Sequence, residues 1–471
     1  MEKSFKPSWV FAMALGAAIG WGAFILPFDW MTASGMAGSL IGLVIGGLMV
    51  TIIAFSYGYT IRALPVTGGG VVFAMVSLGR VHAFIAGWAL TLGYAGIVAL
   101  NASAVTLVFR VTFPQLLQQV PLYEVAGWTI YLPEIIVAVL FIIVFGLLNW
   151  RGSALSGRFQ LWAVILMLAS VIAILGSLLL TYFIDRPELP PAFPENTSVV
   201  SAVLVMVAFA PWAYVGFDSI PQLAGEFNFS AKKALGLLLW GVSAATFIYI
   251  AMMVSTVIAV NSDHSQFEDS AWPTGEAIAN MMGPIGLILM VVAVTMGVLT
   301  GLNGFFAASS RVVYSLGHAD LVPSSLGKLD PKYRTPRNAV IFIAAVCLVT
   351  PFLGRAALSW IVDMTSVGIT FAYFYTCFCA WKIARTGIVD GMESSVPKSK
   401  INEVLGLIGC MLAVWFLALL VVPGSPALLA PPAYIALIVW IVLGVLFYFI
   451  QRTRLKDIPE EFTLNKLISL K

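Results

Sequence analysis

Two glycine-containing stretches decide the fold of this chain: Gly16-Ala-Ala-Ile-Gly20-Trp-Gly22 in the first long apolar run, and Ala213-Tyr-Val-Gly216-Phe-Asp218-Ser in the sixth. Glycine destabilises a helix interior, and Asp218 brings a charge into an apolar run. We therefore predict that both runs are interrupted as helices. Helix ends inside a membrane expose unpaired N–H and C=O groups that suit a small charged solute, and paired interruptions of this kind indicate a transporter's binding site.

The composition indicates a protein that crosses a membrane many times. Hydrophobic residues make up 60% of the chain and charged residues only 10%, whereas soluble domains carry about 25% charged residues. Several apolar runs are long enough to span about 30 Å of hydrocarbon. We expect a lipid bilayer as its surroundings, in a plasma or inner membrane, and no nucleic-acid partner.

The cysteines and histidines do not predict a metal centre. The four cysteines lie in or beside apolar runs, and the three histidines are scattered along the chain. This distribution favours neither a disulfide framework nor a zinc site. No nucleophile–base motif indicates an enzyme. We therefore expect no metal, no cofactor and no catalytic residue.

We predict twelve membrane spans from the apolar runs, with ends uncertain by about two to four residues. Their approximate ranges are 9–33, 36–62, 82–111, 132–150, 159–183, 198–225, 232–260, 284–316, 337–354, 357–382, 404–422 and 431–451.

Basic residues predict the side of the membrane that each loop faces, because cytoplasmic loops are enriched in Lys and Arg. If both termini are cytoplasmic, all Lys and Arg residues except Arg110, Arg186 and Arg355 lie inside. The loop 261–283 contains acidic residues and no Lys or Arg, so we expect it outside. The loop 317–336 contains Lys and Arg and no such acidic excess, so we expect it in the cytoplasm.

The two interruptions predict an all-α membrane fold built from two five-helix repeats, about 9–183 and 198–382, in one transmembrane domain covering 1–471. Because five is an odd number, the second copy enters the membrane from the opposite side, which gives an inverted repeat. Spans 11 and 12, at about 404–451, lie outside the repeat. They are available for packing or for homo-oligomer contacts, and the sequence does not decide between these.

The stretch Pro65-Val-Thr-Gly-Gly-Gly-Val-Val-Phe is too rich in glycine for an ordinary helix. We expect a re-entrant or interfacial bend there, on the cytoplasmic side and buried against protein.

The predicted interruptions suit a solute with two opposite charges. The outer half of span 1 begins near Ala23, so that N–H groups near Gly20 and Gly22 carry partial positive charge and suit a carboxylate. The outer half of span 6 ends near Trp212, and its carbonyl groups over residues 210–215 suit an ammonium group. Together they predict a receptor for a small zwitterionic or cationic solute.

Packing is the competing interpretation of these residues. Gly16 and Gly20 also form a small-xxx-small pattern, which brings membrane helices close together. Phe209 and Trp212 flank the second interruption; a large ring there serves as an outer gate, as a cation–π surface or as ordinary packing.

Two acidic residues of span 6 have alternative roles. Asp218 is either a proton-titratable group that couples transport to pH or an N-cap for the inner half of the helix. Glu226 lies at the cytoplasmic edge. It either pairs with a basic residue such as Arg62, Arg80 or Lys232 in a closing gate, or it binds substrate.

At these residues the chain resembles the amino acid–polyamine–organocation (APC) superfamily of permeases. The stretch Ile19-Gly20-Trp21-Gly22-Ala23-Phe24-Ile25-Leu26-Pro27 is similar to its first-helix signature, and Tyr214-Val215-Gly216-Phe217-Asp218, followed by Glu226, is similar to its sixth-helix signature. Ser310-Arg311 with Tyr314 resembles the end of its eighth helix. The resemblance covers about residues 9–380. It implies a LeuT-type inverted-repeat fold and secondary transport of amino acids or amines by alternating access.

The resemblance also implies roles for individual residues. The segment 20–22 matches the carboxylate-contacting segment of the family, residues 212–215 match the pocket for the ammonium group and side chain, and Asp218 matches a proton-sensitive acid of the related arginine/agmatine antiporter. The expected substrate-binding residues are Ile19, Gly20, Trp21, Gly22, Ala23, Phe209, Trp212, Ala213 and Val215. The expected coupling or gating residues are Asp218, Glu226 and Trp212.

Three positions depart from the family pattern. Trp21 stands where a Ser, Ala or Thr is usual, and its indole would shrink the pocket and favour a small substrate or a simple amine. Span 5 has no lysine between Phe159 and Tyr182, which excludes a lysine-based proton step there. The usual Asn-Pro after the acidic position is Asn228-Phe229, so the following turn is expected to differ.

We therefore expect a secondary active transporter of amino acids or related small amines, proton-linked or exchanging. The alternative is a ligand-binding membrane sensor on a transporter scaffold, in which Trp21 blocks transit while the ligand still binds. The short predicted cytoplasmic termini show no output domain, which argues against the sensor.

Overall fold

Helices form most of the structure, because a helix satisfies its backbone hydrogen bonds within its own segment. The computed structural model describes residues 3–262, 265–354, 356–389, 392–393, 396–425, 428–456 and 458–470; Arg355, counted above as external, lies outside the described residues. In chain order the α-helices are α1 Pro7–Ile19, α2 Gly22–Ile25, α3 Pro27–Ala63, α4 Gly69–Leu78, α5 Arg80–Thr112, α6 Pro114–Leu117, α7 Leu132–Arg151, α8 Ser153–Asp185, α9 Val199–Ala208, α10 Ala210–Ala213, α11 Ala234–Val260, α12 Pro273–His318, α13 Arg337–Cys347, α14 Ala356–Thr386, α15 Lys400–Val421, α16 Pro431–Leu455 and α17 Glu460–Ile468. Two small antiparallel hairpins join β1 Pro121–Val125 to β2 Trp128–Tyr131, and β3 Ile388–Val389 to β4 Met392–Glu393.

Among the described residues, ten helical segments are long and apolar enough to cross a membrane. They are Pro27–Ala63, Arg80–Thr112, Leu132–Arg151, Ser153–Asp185, Val199–Gln222, Ala231–Val260, Pro273–His318, Trp360–Thr386, Lys400–Val421 and Pro431–Arg452. The protein therefore has an all-α fold of the multi-pass membrane type. The count of twelve spans and the inverted repeat stay predictions.

Two predicted spans contain shorter helices. The range 9–33 holds α1, with 13 residues, then α2 and the start of α3, which bends at Gly35. The range 337–354 holds α13, with 11 residues, followed by a 3₁₀ turn at Thr350–Phe352. A straight helix needs about 20 residues to span the hydrocarbon, so neither α1 nor α13 does so alone.

The structure corrects the prediction for the stretch from Pro65 to Phe73. The chain is irregular only up to Gly68, and the ten-residue helix α4 begins at Gly69 in spite of the glycines. Gln222 holds this helix start, because its backbone carbonyl accepts from the Gly68 N–H at 3.0 Å and its side chain accepts from the Gly70 N–H at 3.2 Å. Tertiary hydrogen bonds have offset the low helix propensity of glycine here.

Helix α12 lies at the centre of the molecule, packed against α5, α8, α1 and α11. Its side chains Leu302, Phe305 and Phe306 are fully buried. Helix α16 lies at the periphery and exposes many large apolar side chains, as do the outer faces of α7, α8 and α15. Such faces suit acyl chains rather than water.

Both terminal segments pack against the C-terminal end of the sixth predicted span. The buried Phe5 donates its N–H to the Glu226 carbonyl at 3.0 Å and accepts from the Asn228 N–H at 3.1 Å. On the other side, the carbonyl of Leu470, just after α17, accepts from the Thr67 N–H at 3.1 Å.

Candidate functional site

The first interruption lies between α1 and α2, at Gly20 and Trp21. Gly20 has φ 52° and ψ −144°, a conformation that residues with a side chain rarely adopt. Beyond it, the N–H groups of Trp21, Gly22 and Ala23 donate to no acceptor in the described part of the chain. Helix α2 begins at these groups, so they form its partially positive end.

The second interruption follows α10. Tyr214 and Val215 are not helical, Gly216 has φ 136° and ψ −40°, and a 3₁₀ helix then runs over Phe217–Gln222. Within the described residues, the carbonyl oxygens of Tyr214 and Val215 accept no hydrogen bond. Unpaired carbonyls are partially negative, so this segment suits a cation.

The two interruptions lie side by side. A Cβ atom added to Gly216 would lie 2.3 Å from the backbone nitrogen of Ala18, in α1. The buried Tyr249 hydroxyl, from α11, joins the two segments: it donates to the Ala213 carbonyl at 2.7 Å and lies 3.0 Å from the Ala18 carbonyl. Unpaired N–H groups of one segment and unpaired carbonyls of the other therefore lie in the same region.

Two tryptophans pack between the interruptions. The rings of Trp21 and Trp212 meet edge to face, with centroids 5.8 Å apart. Trp212 also closes over Gly22, where an added Cβ would lie 2.6 Å from the indole. The Trp21 Nε1 is buried and has no hydrogen-bond partner in the described chain. The indole fills space beside the interruption and leaves a donor there.

Most of the predicted substrate-binding residues are buried in this region. Ile19, Trp21, Gly22 and Ala23 on the first segment are buried, as are Trp212, Ala213 and Val215 on the second. Gly20 and Phe209 alone in this predicted set are partly exposed.

Asp218 does not cap the inner part of span 6, so that alternative was wrong. The 3₁₀ helix begins one residue earlier, at Phe217, and Gly216 is its N-cap without a side-chain bond. The fully buried Asp218 carboxylate accepts from the Gly216 N–H at 2.8 Å and from the Tyr94 hydroxyl at 2.7 Å. It thus fixes the second interruption and links it to α5.

Glu226 forms a buried ion pair, with a partner that the sequence analysis did not name. Arg311, from α12, binds it through two hydrogen bonds of 2.8 and 3.2 Å, and each side chain is only 1% exposed. Ser153, at the start of α8, donates to the carboxylate and accepts from Arg311 at 3.1 Å. We call Glu226, Arg311 and Ser153 the gate cluster, after the gating role that the sequence analysis expected for Glu226.

The basic residues predicted for Glu226 are not its partners. Arg80 donates instead to the carbonyls of Leu455 and Ile458, beside α17. Arg311 is five residues from the predicted end of span 8, and a buried arginine needs an anion. This requirement of a buried arginine is the sequence feature from which the pair could have been predicted.

Neutral amides lie beneath the first interruption. Gln160, in α8, donates to the carbonyls of Ala12 and Thr300 at 3.2 and 3.1 Å and accepts from Asn303 at 2.7 Å. Thr300 in turn donates to the Gly16 carbonyl at 3.1 Å. This network joins α1, α8 and α12 without a charge.

Sequence reasoning also missed two tyrosines. Tyr94 and Tyr249 lie in ordinary apolar runs, among the 14 tyrosines of the chain. Nothing in their spacing separates them from packing residues, because their partners come from distant helices.

One known protein family matches almost the whole chain. Residues 5–448 match the model of a family described as amino acid permease. The chain belongs to the amino acid permease family. The resemblance to the APC superfamily is thereby confirmed, and the chain belongs to a family of membrane transporters.

Relatives of this permease align along nearly its full length. It is 25% identical to the branched-chain amino acid permease BcaP of Lactococcus lactis subsp. cremoris (strain MG1363), covering 94% of this chain and 93% of that protein. It is 23% identical to the methylthioribose transporter of Bacillus subtilis (strain 168), over 93% and 91% of the two chains. It is 22% identical to the lysine-specific permease LysP of Escherichia coli (strain K12), over 83% and 81%.

Proposed function

We propose that this permease carries an amino acid or a related small amine by alternating access, with the solute bound between residues 19–23 and residues 209–215. One observation supports this most: the unpaired N–H groups of Trp21, Gly22 and Ala23 lie in the same region as the unpaired carbonyls of Tyr214 and Val215. The N–H groups bind the carboxylate, and the carbonyls bind the ammonium group.

The proposal includes the inverted repeat. In it, α1 to α8 form the first repeat, from about 9 to 183, and α9 to α14 form the second, from about 198 to 382. Each repeat then starts with an interrupted helix, and α15 and α16 lie outside. Both termini are cytoplasmic. A rocking motion of the two repeats against each other exposes the site alternately to the two sides of the membrane.

In this account the solute path is closed on both sides. On the outer side, Trp21 and Trp212 pack on each other, and Trp272 fastens the outer half of the first span by donating to the Phe24 carbonyl at 3.0 Å. On the inner side, the gate cluster closes the path. Transport requires each closure to open in turn.

Substrate size follows from Trp21. Its indole occupies the space that a larger solute side chain would need, so we propose small amino acids or simple amines as substrates. The relatives are named for branched-chain amino acids, methylthioribose and lysine. Such a range on one fold leaves specificity to side chains that line the site.

Transport is tested by counterflow in proteoliposomes. Purified protein is reconstituted with an excess of unlabelled small amino acids inside, and entry of the labelled solute is followed. We expect saturable counterflow, abolished by Gly22→Trp, because a third indole beside Trp21 and Trp212 would fill the site. Absence of counterflow with every amino acid and amine tested, together with ligand-induced thermal stabilisation, would support the sensor instead.

Asp218 is the proposed coupling residue, since it is the acid nearest to the two interruptions. An inward proton gradient is expected to accelerate uptake several-fold in the wild-type protein and not in Asp218→Asn, in which an oxygen acceptor remains for Gly216 or Tyr94. The exposed Asp185→Asn is the matched control and keeps the response. A gradient response that persists in Asp218→Asn removes Asp218 from the coupling role.

A further inference from the structure

A basic cavity lies beside the gate cluster, on the side that the proposed topology assigns to the cytoplasm. It has a volume of about 370 Å³ and is open on one side to the surroundings. Four cationic side chains line it: Arg151 at the end of α7, Arg158 in the second turn of α8, and Lys332 and Arg334 in the segment before α13. None of the residues that line it is acidic.

The positive charge of this cavity is not compensated by neighbouring carboxylates. In the described part of the chain, Arg151, Arg158 and Arg334 form no ion pair, and the ammonium of Lys332 lies 5.2 Å from the Tyr333 ring. The four cations therefore remain available to an anion from outside the chain.

Asp330 is the carboxylate nearest in sequence to Lys332, and both of its oxygens already accept hydrogen bonds. One of its oxygens accepts from the N–H groups of Lys332 and Tyr333, both at 2.9 Å, and the other accepts from Trp150 Nε1 at 3.1 Å. These donors, the Tyr333 N–H above all, hold the pKa of Asp330 below its usual value. The carboxylate thus holds the loop that carries Lys332 and Arg334, and in the described chain it forms no ion pair with either residue.

Uncharged donors complete the cavity. Helix α8 is 33 residues long and starts at Ser153, after Gly152, with no side-chain cap. The N–H groups of Ser153, Ala154 and Leu155 donate to no acceptor among the described residues, and all three residues line the cavity. The Ser4 hydroxyl also lines it, and its oxygen is buried without a partner. A long helix start and several cations together favour an anion with several oxygens.

Cytoplasmic loops of membrane proteins are basic in general, so charge by itself would be explained by topology. Topology does not explain the concave shape, the lack of acidic residues in its lining or the unpaired N–H groups at the start of α8. Lys232 and Lys233, which the proposed topology places on the same side, are exposed and are not among the residues that line this cavity.

We propose that this cavity binds a phosphate-bearing anion, either the headgroup of an anionic phospholipid or a free phosphate compound. A phosphate group offers oxygens to both the guanidinium groups and the helix start. The volume is within the range of small-molecule sites. The site does not depend on which solute the permease carries.

Two probes test the site on the purified full-length protein. Inorganic pyrophosphate is titrated in detergent by calorimetry, and thermal stability is measured in nanodiscs of phosphatidylcholine with and without phosphatidylglycerol. We expect saturable pyrophosphate binding, a higher melting temperature with phosphatidylglycerol, or both. In the double variant Arg158→Gln with Arg334→Gln, binding weakens at least tenfold and the lipid effect disappears.

Lys232→Gln with Lys233→Gln is the matched control, since it removes the same charge from the same face and is expected to keep both responses. Binding of pyrophosphate alone identifies a free phosphate compound, and the phosphatidylglycerol effect alone identifies a lipid headgroup. Arg158 and Arg334 are exposed, so the variants should fold; each single variant is measured as well in case the double variant does not. The proposal is overturned if the wild type responds to neither probe, or if the control loses the response as fully as the cavity variants.

Discussion

Single glycines determine how closely the two interruptions approach. At Gly216, both the backbone angle and the distance to α1 exclude a side chain: φ is 136°, and an added Cβ would lie 2.3 Å from the Ala18 nitrogen. Backbone atoms cannot rotate away as a flexible side chain can. The contact between the segments is therefore a property of this one residue as much as of the helices.

Gly216→Ala is expected to destabilise the protein by about 2 kcal/mol or more, because the methyl group strains the backbone and separates the segments. The measurement is the melting temperature in detergent, together with counterflow, which should fall to background. Gly176→Ala is the matched control: an added Cβ there meets nothing within 4 Å, and α8 is helical at this position. Equal stability and activity of the two variants would contradict the packing described here.

Trp21 determines the space left for the solute. Trp21→Ser removes the indole that contacts Trp212, and we expect the variant to accept larger amino acids at least tenfold better relative to small ones. The measurement is competition of a panel of amino acids against labelled solute in counterflow. Trp162→Ser is the control, since Trp162 faces outward from α8 and is 67% exposed. An unchanged selectivity profile in Trp21→Ser would end the small-pocket interpretation.

At the scale of elements, the gate cluster joins three helical segments: the inner part of span 6, α8 and α12. Its ion pair is buried, and removal of one partner from such a pair leaves a charge without compensation. The terminal segment around Phe5 packs against the same inner end. In the proposed mechanism, the inner closure is thus built from backbone and side-chain contacts together.

Glu226→Gln is expected to lower the free energy of unfolding by about 3 kcal/mol, since Arg311 keeps its charge in a buried site. Glu226→Gln with Arg311→Gln should recover part of this loss, because no charge remains. Thermal stability in detergent is the measurement. Lys400→Gln is the control: its pair with Glu403 is exposed on the lysine side, and such pairs contribute about 0.5 kcal/mol or less. A double variant less stable than Glu226→Gln would argue against charge as the cause.

At the scale of the whole molecule, the proposed topology assigns each loop to one side of the membrane. Glu195 and Lys328 are exposed in loops assigned to opposite sides, and the four native cysteines are buried. A membrane-impermeant maleimide added to intact cells should label Glu195→Cys and should label Lys328→Cys only after the membrane is opened. The reverse pattern would invert the topology.

The sequence predicted the multi-pass helical fold because long apolar runs have few alternatives in a bilayer. It predicted that Glu226 either pairs with a basic residue or binds substrate, and the structure shows a basic partner, but the examples named (Arg62, Arg80 and Lys232) did not include Arg311. Arg311 reaches Glu226 across 85 positions of the chain, and such a contact depends on how α12 crosses the molecule. Tyr94 and Tyr249 were missed for the same reason.

Local propensity failed where tertiary contacts prevail. The stretch from Pro65 to Phe73 was predicted as a bend from its glycines, but Gln222 holds the start of α4 at Gly69. Likewise, Asp218 has the residue type of an N-cap, and its carboxylate binds Gly216 and Tyr94 instead. The basic cavity was invisible in the sequence, since two of its cations lie at the α7–α8 junction and two in the segment before α13, and only the fold brings these together.

The most direct test of the central claim is a cryo-electron microscopy structure of the protein with the amino acid that gives the strongest counterflow. The account predicts solute density between the two interruptions, with its carboxylate on the N–H groups of residues 21–23 and its ammonium group on the carbonyls of Tyr214 and Val215. Solute bound elsewhere, with both segments out of contact, would contradict it.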